Sequence, residues 1–275
     1  MRDPCTIMVA PNGARRTKAD HPNLPITESE IVDAVEAAWD AGAHAAHIHV
    51  RDEGGRHVLD ARRYLSLISA LRRRCGDALI TQITTEAVDR YAPSQQRALV
   101  REVKPEAVSI ALRELFSKSD EQHENYEFLQ WAYEKHIAIQ WIIYDQAELK
   151  LIAAMINAGV VPRDAQLLFV LGRYSVGQRS QASDLLPFLT AVQLLPALAA
   201  TRWTVCAFGQ GETECLATAV AFGGNARVGF ENSILNADGS VAQSNAERVN
   251  AIVQLADGMG VPLATRNEAR AKFLH

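Results

Sequence analysis

One helix and one buried strand are predicted by the segment TESEIVDAVEAAWDAGAHAAHIHVRD, residues 27–52. Thr27 and Glu30 have the spacing of a capping box, S/T-x-x-E, so we expect a helix to begin there. Gly42 is well placed to end that helix, because glycine readily adopts the left-handed conformation found after helix C-termini. The apolar run HAAHIHV, residues 44–50, then has the length and composition of a buried strand.

The same alternation continues along the chain in both directions. Apolar runs typical of buried strands occupy residues 5–10, 44–50, 78–84, 106–111, 137–143, 166–172, 202–209 and 226–231. Helical patterns lie between and after them, at residues 27–40, 60–74, 94–103, 121–136, 145–158, 182–199, 211–222 and 244–258. Eight strands that alternate with eight helices predict an α/β protein, a (β/α)8 TIM barrel.

A doubly wound open sheet is the alternative fold, but no G-x-G-x-x-G follows the first strand. No linker or low-complexity segment divides the chain, so we expect residues 1–275 to form a single TIM-barrel domain. The formal net charge of −4 and the absence of a basic patch argue against a nucleic-acid partner.

Composition also bounds the compartment. No run of 18 apolar residues occurs, so no membrane segment is predicted, and MRDPCTIMVAPNG lacks the apolar stretch of a signal peptide. We therefore expect a cytoplasmic protein. The four cysteines share no C-x-x-C spacing, and in a reducing compartment buried thiols are expected.

Two histidines in the second strand form the most informative pair in the chain. Because side chains alternate along a strand, His47 and His49 point to the same side. Two imidazoles so placed can bind one metal ion, and Arg51 and Asp52 end the strand in polar surroundings. The alternative is a pair of histidines whose hydrogen bonds are satisfied by backbone or water.

A catalytic zinc site usually has a third protein ligand and one open position. Glu231 ends the eighth strand, which neighbours the first in a closed barrel, and is the best candidate. His44 and His57 are the alternatives, and His44 is expected at the opposite end of the barrel. Iron, manganese or nickel would also fit such a ligand set.

Active sites of these barrels lie where the strands end. Nearly every predicted strand end in this chain carries a reactive or hydrogen-bonding side chain, which favours an enzyme: Asn12, Arg15, Arg16, His47, His49, Arg51, Asp52, Thr84, Thr85, Glu86, Ser109, Arg113, Tyr144, Asp145, Arg173, Tyr174, Glu212, Arg227, Glu231 and Asn232.

Five motifs in order, VAPNGARRTKADHPNLPIT, HIHVRD, TQITTEAV, FVLGR and GGNARVGFEN, resemble the β-keto acid cleavage enzyme family over essentially the whole chain. The resemblance implies a zinc-dependent (β/α)8 enzyme that converts a β-keto acid and acetyl-CoA into acetoacetate and a new acyl-CoA. It also implies a homo-oligomer, a tetramer. The residues it implicates are His47, His49 and Glu231 as zinc ligands, Arg227 as the catalytic arginine, and Thr84 and Ser109 as hydroxyl groups that orient substrate.

One departure from the family concerns the substrate. The type that cleaves 3-keto-5-aminohexanoate has a glutamate for the substrate's ammonium group where this chain has Arg15. Since a guanidinium cannot pair with an ammonium ion, we expect another substrate, with a neutral or carboxylate-bearing acyl chain. Glu86 is a complication, because it lies on a loop where a cationic group could also be held.

A second departure concerns proton transfer. Asn232 replaces an aspartate that works with the arginine, and an amide cannot act as a base. Asn232 is then left to bind substrate, and the base would be a zinc-bound water, which we favour, or Glu86 or Asp52.

Coenzyme A needs a cationic site for its phosphates. LGRYSVGQRSQ, residues 171–181, offers Arg173 and Arg179 in a flexible loop, with solvated loop charges as the alternative interpretation. A metal-dependent hydrolase or aldolase on a TIM barrel is the alternative function, and a non-enzymatic binding protein is a third class.

Overall fold

The helix–strand unit predicted from residues 27–52 is present in the computed structural model, which describes residues 3–274. The helix is α1 (Glu28–Asp40), and its capping box is formed, with Thr27 accepting from the Glu30 N–H and the Glu30 carboxylate accepting from the Thr27 N–H. The strand is β2 (Ala45–Ile48). The domain predicted for residues 1–275 includes Met1, Arg2 and His275, which lie outside the described residues.

Within residues 3–274, eight parallel strands close into a barrel in the order β1 to β8. The barrel closes where β1 pairs with β8, with Met8 opposite Arg227. The predicted (β/α)8 TIM barrel is confirmed. The other strands are β1 (Ile7–Val9), β3 (Ile80–Thr84), β4 (Ala107–Ala111), β5 (Ala138–Ile143), β6 (Gln166–Leu171), β7 (Arg202–Ala207) and β8 (Asn225–Val228).

Helices follow the strands and form the outer layer. They are α2 (Ala61–Cys75), α3 (Pro93–Val103), α4 (Leu112–Leu115), α5 (Gln122–Glu134), α6 (Gln146–Asn157), α7 (Leu186–Leu194), α8 (Glu212–Ala221), α9 (Asn245–Gly258) and α10 (Arg266–Leu274). The main hydrophobic core lies between these helices and the outward-facing strand residues.

Three segments differ from the predicted helices. The continuous helix expected at residues 182–199 breaks at Leu195, whose extended backbone precedes Pro196, because proline disfavours a helical residue before it. The single-turn α4 was too short for its pattern to be recognised. Helix α10 follows the eighth unit and was not predicted.

The barrel interior has three levels. At the amino-terminal end, Met8, Ala45, Ile80 and Ala107 of the strands pack against Ala269 and Phe273 of α10. The middle level is polar and contains Gln82, Gln140 and Thr204. An apolar level at the carboxyl-terminal end comprises Ala111, Ile142, Leu168, Val170, Cys206 and Phe208. The polar middle level supports the site described below.

All four cysteines have free thiols, as the sequence predicts. Cys5, Cys206 and Cys215 are buried and free, and Cys75 is free and half-buried. Among residues 3–274, none of the helices combines the length and apolar composition that a membrane crossing requires.

Candidate active site

Three predicted metal ligands converge at the carboxyl-terminal end of the barrel. The Nε2 atoms of His47 and His49 are 3.0 Å apart, and Glu231 Oε2 lies 3.5 Å from the first and 3.4 Å from the second. Ligands about 2.0–2.1 Å from a tetrahedral ion are separated by roughly 3.3 Å. Among the described residues 3–274, this is the one cluster of three His, Cys, Asp or Glu side chains able to hold an ion.

Neighbouring groups determine which imidazole nitrogens carry protons. His57 Nε2 lies 3.0 Å from the Glu86 carbonyl oxygen, which can only accept, so neutral His57 has a bare Nδ1. That Nδ1 lies 3.4 Å from His49 Nδ1, which must then donate. His47 Nδ1 lies 2.7 Å from Gln82 Oε1 and donates to it. Both Nε2 atoms are therefore bare and face the same point.

This donor set fits a bound cation. Two bare nitrogens and Glu231 Oε2, which is buried without a hydrogen-bond partner, all present lone pairs to one space. Burial lowers the pKa of His47 and of His57 to about 4 and that of His49 well below its ordinary value, so the rings are neutral, as metal ligands must be. The residues present thus fit a small divalent metal ion.

Gly13 lets Glu231 enter the cluster. Its φ is +60°, and a Cβ there would lie 2.5 Å from Glu231 Cγ. The other carboxylate oxygen, Oε1, accepts from Arg227 NH2 at 3.1 Å. Burial by itself would raise the pKa of Glu231, but the charge of the Arg227 guanidinium holds it well below its usual range. The glutamate is therefore an anion aimed at the two histidines.

Several buried polar groups beside the cluster lack partners. Arg227 Nε and NH1, Ser109 Oγ and both amide atoms of Asn232 have no hydrogen bond. Thr84 is paired with Ser109 in the strand register, and its Oγ1 accepts from the Glu86 N–H. Because buried polar groups are normally hydrogen-bonded, these free atoms indicate a site for a polar ligand.

Glu86 is surrounded by arginines at the mouth of the site. Its Oε1 lies 3.6 Å from Arg173 NH2 and 4.0 Å from Arg15 Nε, and its Oε2 lies 4.0 Å from His49 Nδ1. Burial, together with the charge of Glu231, raises the pKa of Glu86 to about 7. The carboxyl group can therefore exchange a proton near neutral pH.

Two small cavities meet at this carboxyl group. The outer one, about 60 Å³, is lined by the first loop, including Arg15, and by Arg173 and Gln178. The inner one, about 30 Å³, contains His47, Thr84, Arg227 and Glu231, and its apolar wall consists of Ala111, Ile142, Tyr144, Val170 and Phe208.

Some predicted residues lie elsewhere. The prediction that Asp52 is a catalytic base is corrected by its contacts. Its carboxylate accepts from the Gly54 and Arg56 amides and pairs with the Arg56 guanidinium, so it is engaged in its own turn rather than in the cluster. Arg179 is exposed beside a separate cavity of about 640 Å³, between residues 177–180 and the start of α8.

Two further candidates, Arg16 for the active site and His44 for the metal site, have structural roles. Arg16 donates to the carbonyls of Phe230 and Asn232, so it holds the first loop against the segment that follows β8 and is not free for substrate. His44 bonds to the Ile7 N–H and the Ala264 carbonyl at the opposite end of the barrel, as expected.

Sequence reasoning missed Gln82 and Gln140, and it treated His57 as an alternative ligand rather than as a partner of His49. The signal for the glutamines was present, because each is a polar residue within a predicted buried strand. Their inward direction follows from the same alternation that aligns His47 and His49.

The family model of the beta-keto acid cleavage enzyme matches residues 4–274. The chain belongs to the β-keto acid cleavage enzyme family. This family member is 30% identical over 275 residues to the 3-keto-5-aminohexanoate cleavage enzyme of Fusobacterium nucleatum subsp. nucleatum, covering 98% of this chain and 97% of the relative. It is 28% identical over 276 residues to the 3-oxoadipate:acetyl-CoA acetyltransferase of Cupriavidus necator, covering 98% and 95%.

The solved structure of apo ObcA has the same fold as this β-keto acid cleavage enzyme, with a TM-score of 0.71 at 16% identity. The likeness covers 92% of this chain and spans 65% of ObcA's length. The resemblance read from the motifs is confirmed, and the protein is an enzyme, an acyltransferase that cleaves β-keto acids.

Proposed function

We propose that this enzyme transfers the acyl group of a β-keto acid to coenzyme A at a zinc site formed by His47, His49 and Glu231. The reaction is R–CO–CH2–COO⁻ + acetyl-CoA → acetoacetate + R–CO–CoA, and its bonds balance without an oxidant or reductant. The observation that carries the proposal is the convergence of two bare imidazole nitrogens and an unpartnered carboxylate oxygen beside Arg227. The relative named an acetyl-CoA acetyltransferase supports acetyl-CoA as co-substrate.

The ligand set determines what a metal ion would do here. Zinc held by these three residues would act as a Lewis acid on the keto and carboxylate oxygens of the β-keto acid. The histidines contribute neutral nitrogens and Glu231 contributes one negative charge. With a divalent ion bound, the site would therefore carry a net positive charge, which attracts an anionic substrate. Other divalent metals would satisfy the same ligands.

Arg227 would stabilise negative charge that develops during the reaction. Its unpartnered Nε–H and NH1 groups can donate to the oxyanion formed when the substrate carbon attacks the acetyl thioester. Ser109 Oγ, also unpartnered, can orient the substrate carboxylate, and Thr84, its neighbour in the strand register, lines the inner cavity. The buried amide of Asn232 can hydrogen-bond substrate but cannot remove a proton.

Glu86 is the protein group best suited to proton transfer. Its pKa of about 7 places it where a general acid–base group works near neutrality, and it lines the cavity that contains His47 and Arg227. Arg173, 3.6 Å away, keeps part of the carboxyl population ionised.

The acyl side chain would be neutral or anionic. Arg15 and Arg173 both face Glu86, so an ammonium group at this position would meet two guanidinium groups. The inner cavity also has an apolar wall, which suits a hydrocarbon chain. We therefore infer a substrate other than 3-keto-5-aminohexanoate.

Coenzyme A would enter from the loop after β6. Arg179 is exposed at the 640 Å³ cavity and can contact phosphate, while Arg173 lies deeper, with its side chain 15% exposed. We propose Arg179 as the main phosphate contact and Arg173 as the contact nearer the reacting groups.

The proposal is tested by mass spectrometry of the products. Zinc-loaded enzyme is incubated with acetyl-CoA and neutral, anionic or cationic β-keto acids, and we expect a new acyl-CoA together with an equal amount of acetoacetate. Glu231→Gln should lose metal and activity, whereas Glu127→Gln, at an exposed glutamate on the outer helix α5, should retain both. Metal binding without acyl-CoA from any substrate would exclude the proposal and favour a hydrolase or aldolase.

A further inference from the structure

Two residues outside the metal ligands each contact the Nδ1 atom of one of the histidines: Gln82 contacts His47, and His57 contacts His49. We propose that Gln82 and His57 are positioning residues, which hold His47 and His49 in the one tautomer that can bind a metal. This inference rests on the metal site of the proposed function and deepens it. Neither residue would touch the ion or the substrate.

Gln82 acts through a row of buried side chains across the barrel. His47 Nδ1 donates to Gln82 Oε1 at 2.7 Å, Gln82 Nε2 donates to Gln140 Oε1 at 3.1 Å, and Gln140 Nε2 donates to Thr204 Oγ1 at 3.3 Å. All four side chains are buried. The row joins β2, β3, β5 and β7 through the polar middle level of the barrel.

The row opposes rotation of the Gln82 amide. If that amide alone turned its NH2 group toward His47, its oxygen would face the Gln140 oxygen, so Gln140 would have to turn with it and accept from the Thr204 hydroxyl instead of donating to it. His47 would then carry its proton on Nε2 and could not bind a metal. With the row intact, the proton stays on Nδ1.

His57 performs the same task for His49 by a different route. Its Nε2 faces the Glu86 carbonyl at 3.0 Å, and a backbone carbonyl has no proton to offer. The bare Nδ1 of His57 then accepts from His49 Nδ1 at 3.4 Å. This contact places the lone pair of His49 Nε2 in the cluster.

Both contacts together prevent a competing hydrogen bond. The two Nε2 atoms are 3.0 Å apart, a distance at which one protonated ring would donate to the other and close the site. Gln82 and His57 remove that proton from both rings. Partners of this kind typically contribute 10- to 100-fold to metal affinity.

The first test is zinc affinity, measured on metal-stripped protein by competition with a chromophoric chelator. Gln82→Leu should lose about 10- to 100-fold in affinity. Gln82→Glu keeps an acceptor for His47, and Gln140 can turn its NH2 group toward the new carboxylate because the Thr204 hydroxyl can donate in turn, so affinity should stay within about threefold of wild type. His57→Leu should also lose about tenfold or more. The matched control is Gln166→Leu, because Gln166 is also a buried strand glutamine but donates to the Lys272 carbonyl, and the zinc affinity of this variant should not change.

The second test observes the tautomers directly. In ¹⁵N-labelled, metal-free wild type at neutral pH, His47 should show a protonated Nδ1 and a bare Nε2, and Gln82→Leu should shift His47 toward the opposite tautomer. Thr204→Val changes the row two hydrogen bonds beyond Gln82, and it should shift the His47 tautomer less but in the same direction. This valine variant also supplies the comparison if Gln82→Leu does not fold.

Two results would overturn the inference: wild-type zinc affinity in folded Gln82→Leu and His57→Leu, or a proton on Nε2 of His47 in the wild type. Failure of the proposed function has a different signature. In that case the wild type binds no divalent metal or makes no acyl-CoA, while the ¹⁵N spectra still report which nitrogen of each ring is protonated.

Discussion

A missing methyl group at position 13 allows Glu231 to reach the two histidines. We predict that Gly13→Ala lowers zinc affinity and activity more than tenfold, because the new Cβ would overlap the Glu231 side chain, 2.5 Å from its Cγ. Gly13 also has φ +60°, so alanine adds a backbone penalty of about 1–2 kcal/mol. Chelator competition and thermal unfolding measure the two effects.

A matched control separates the side-chain overlap from the backbone penalty. Gly76 has φ +77°, and a Cβ there would have no neighbour within 4 Å. Gly76→Ala should therefore lower the unfolding temperature without changing zinc affinity. Equal affinities for the two alanine variants would show that Glu231 does not depend on Gly13.

Arg15 is expected to select the charge of the acyl side chain. Its guanidinium lies 4.0 Å from Glu86 and 3.8 Å from Asp89, at the edge of the outer cavity. We predict that Arg15→Glu shifts the ratio of kcat/KM for a cationic over an anionic β-keto acid by tenfold or more, since a repulsive charge becomes attractive.

A charge reversal at Arg179 is the control for this prediction, because it adds the same negative charge at a separate cavity. Arg179→Glu should raise the KM for acetyl-CoA and leave the ratio between β-keto acids unchanged. An unchanged ratio in Arg15→Glu would mean that Arg15 does not face the acyl side chain.

For single residues, the sequence predicts the direction of a side chain where the residue lies in a strand, because side chains alternate between the two faces. His47 and His49 share a face because they are two apart, and Glu231 joins them because β8 neighbours β1. Asp52 was not predictable in this way, since it follows the strand in a turn where no periodicity applies. The role of Gly13 depends on a contact between distant segments, which no local pattern reports.

At the scale of elements, alternation of apolar and helical segments predicts all eight strands. It fails where the period is interrupted or the segment is short. Pro196 splits one predicted helix, and the single turn of α4 has too few residues to show a period. Helix α10 was missed for another reason: eight units already complete a barrel, so nothing in the repeat requires a further helix.

Helix α10 covers the amino-terminal end of the barrel, and we predict that Phe273→Ala lowers the free energy of unfolding by about 3 kcal/mol. Phe273 is 6% exposed and packs with Met8, Ala45 and Ile80 at the start of three strands. Denaturant unfolding measures the loss. Zinc affinity should not change, because the ligands lie at the opposite end, and a loss of affinity would contradict this separation.

At the scale of the whole molecule, closure of the barrel links stability to pH. His44, His47 and His57 are buried with lowered pKa values, about 4 for the latter two. In the unfolded chain each regains a pKa near 6.5, so below that pH the unfolded state binds more protons and stability falls. Glu86 and Glu212, whose pKa values are raised to about 7, have the opposite effect between about pH 4.5 and 7.

His44 isolates one of these contributions, because it lies away from the metal ligands and joins β1 to the segment before α10 through the Ile7 N–H and the Ala264 carbonyl. His44→Gln, which cannot titrate, should be less stable than wild type at pH 7. Below about pH 6.5 wild type should lose that advantage by up to about 1.4 kcal/mol per pH unit, because its unfolded chain gains the His44 proton at a higher pH than its folded chain does. Denaturant unfolding of metal-free protein from pH 5 to 8 measures this difference.

His123→Gln, at a histidine 82% exposed, is the control and should follow wild type throughout. A constant difference between His44→Gln and wild type over this range would mean that His44 is not held neutral by the closed barrel.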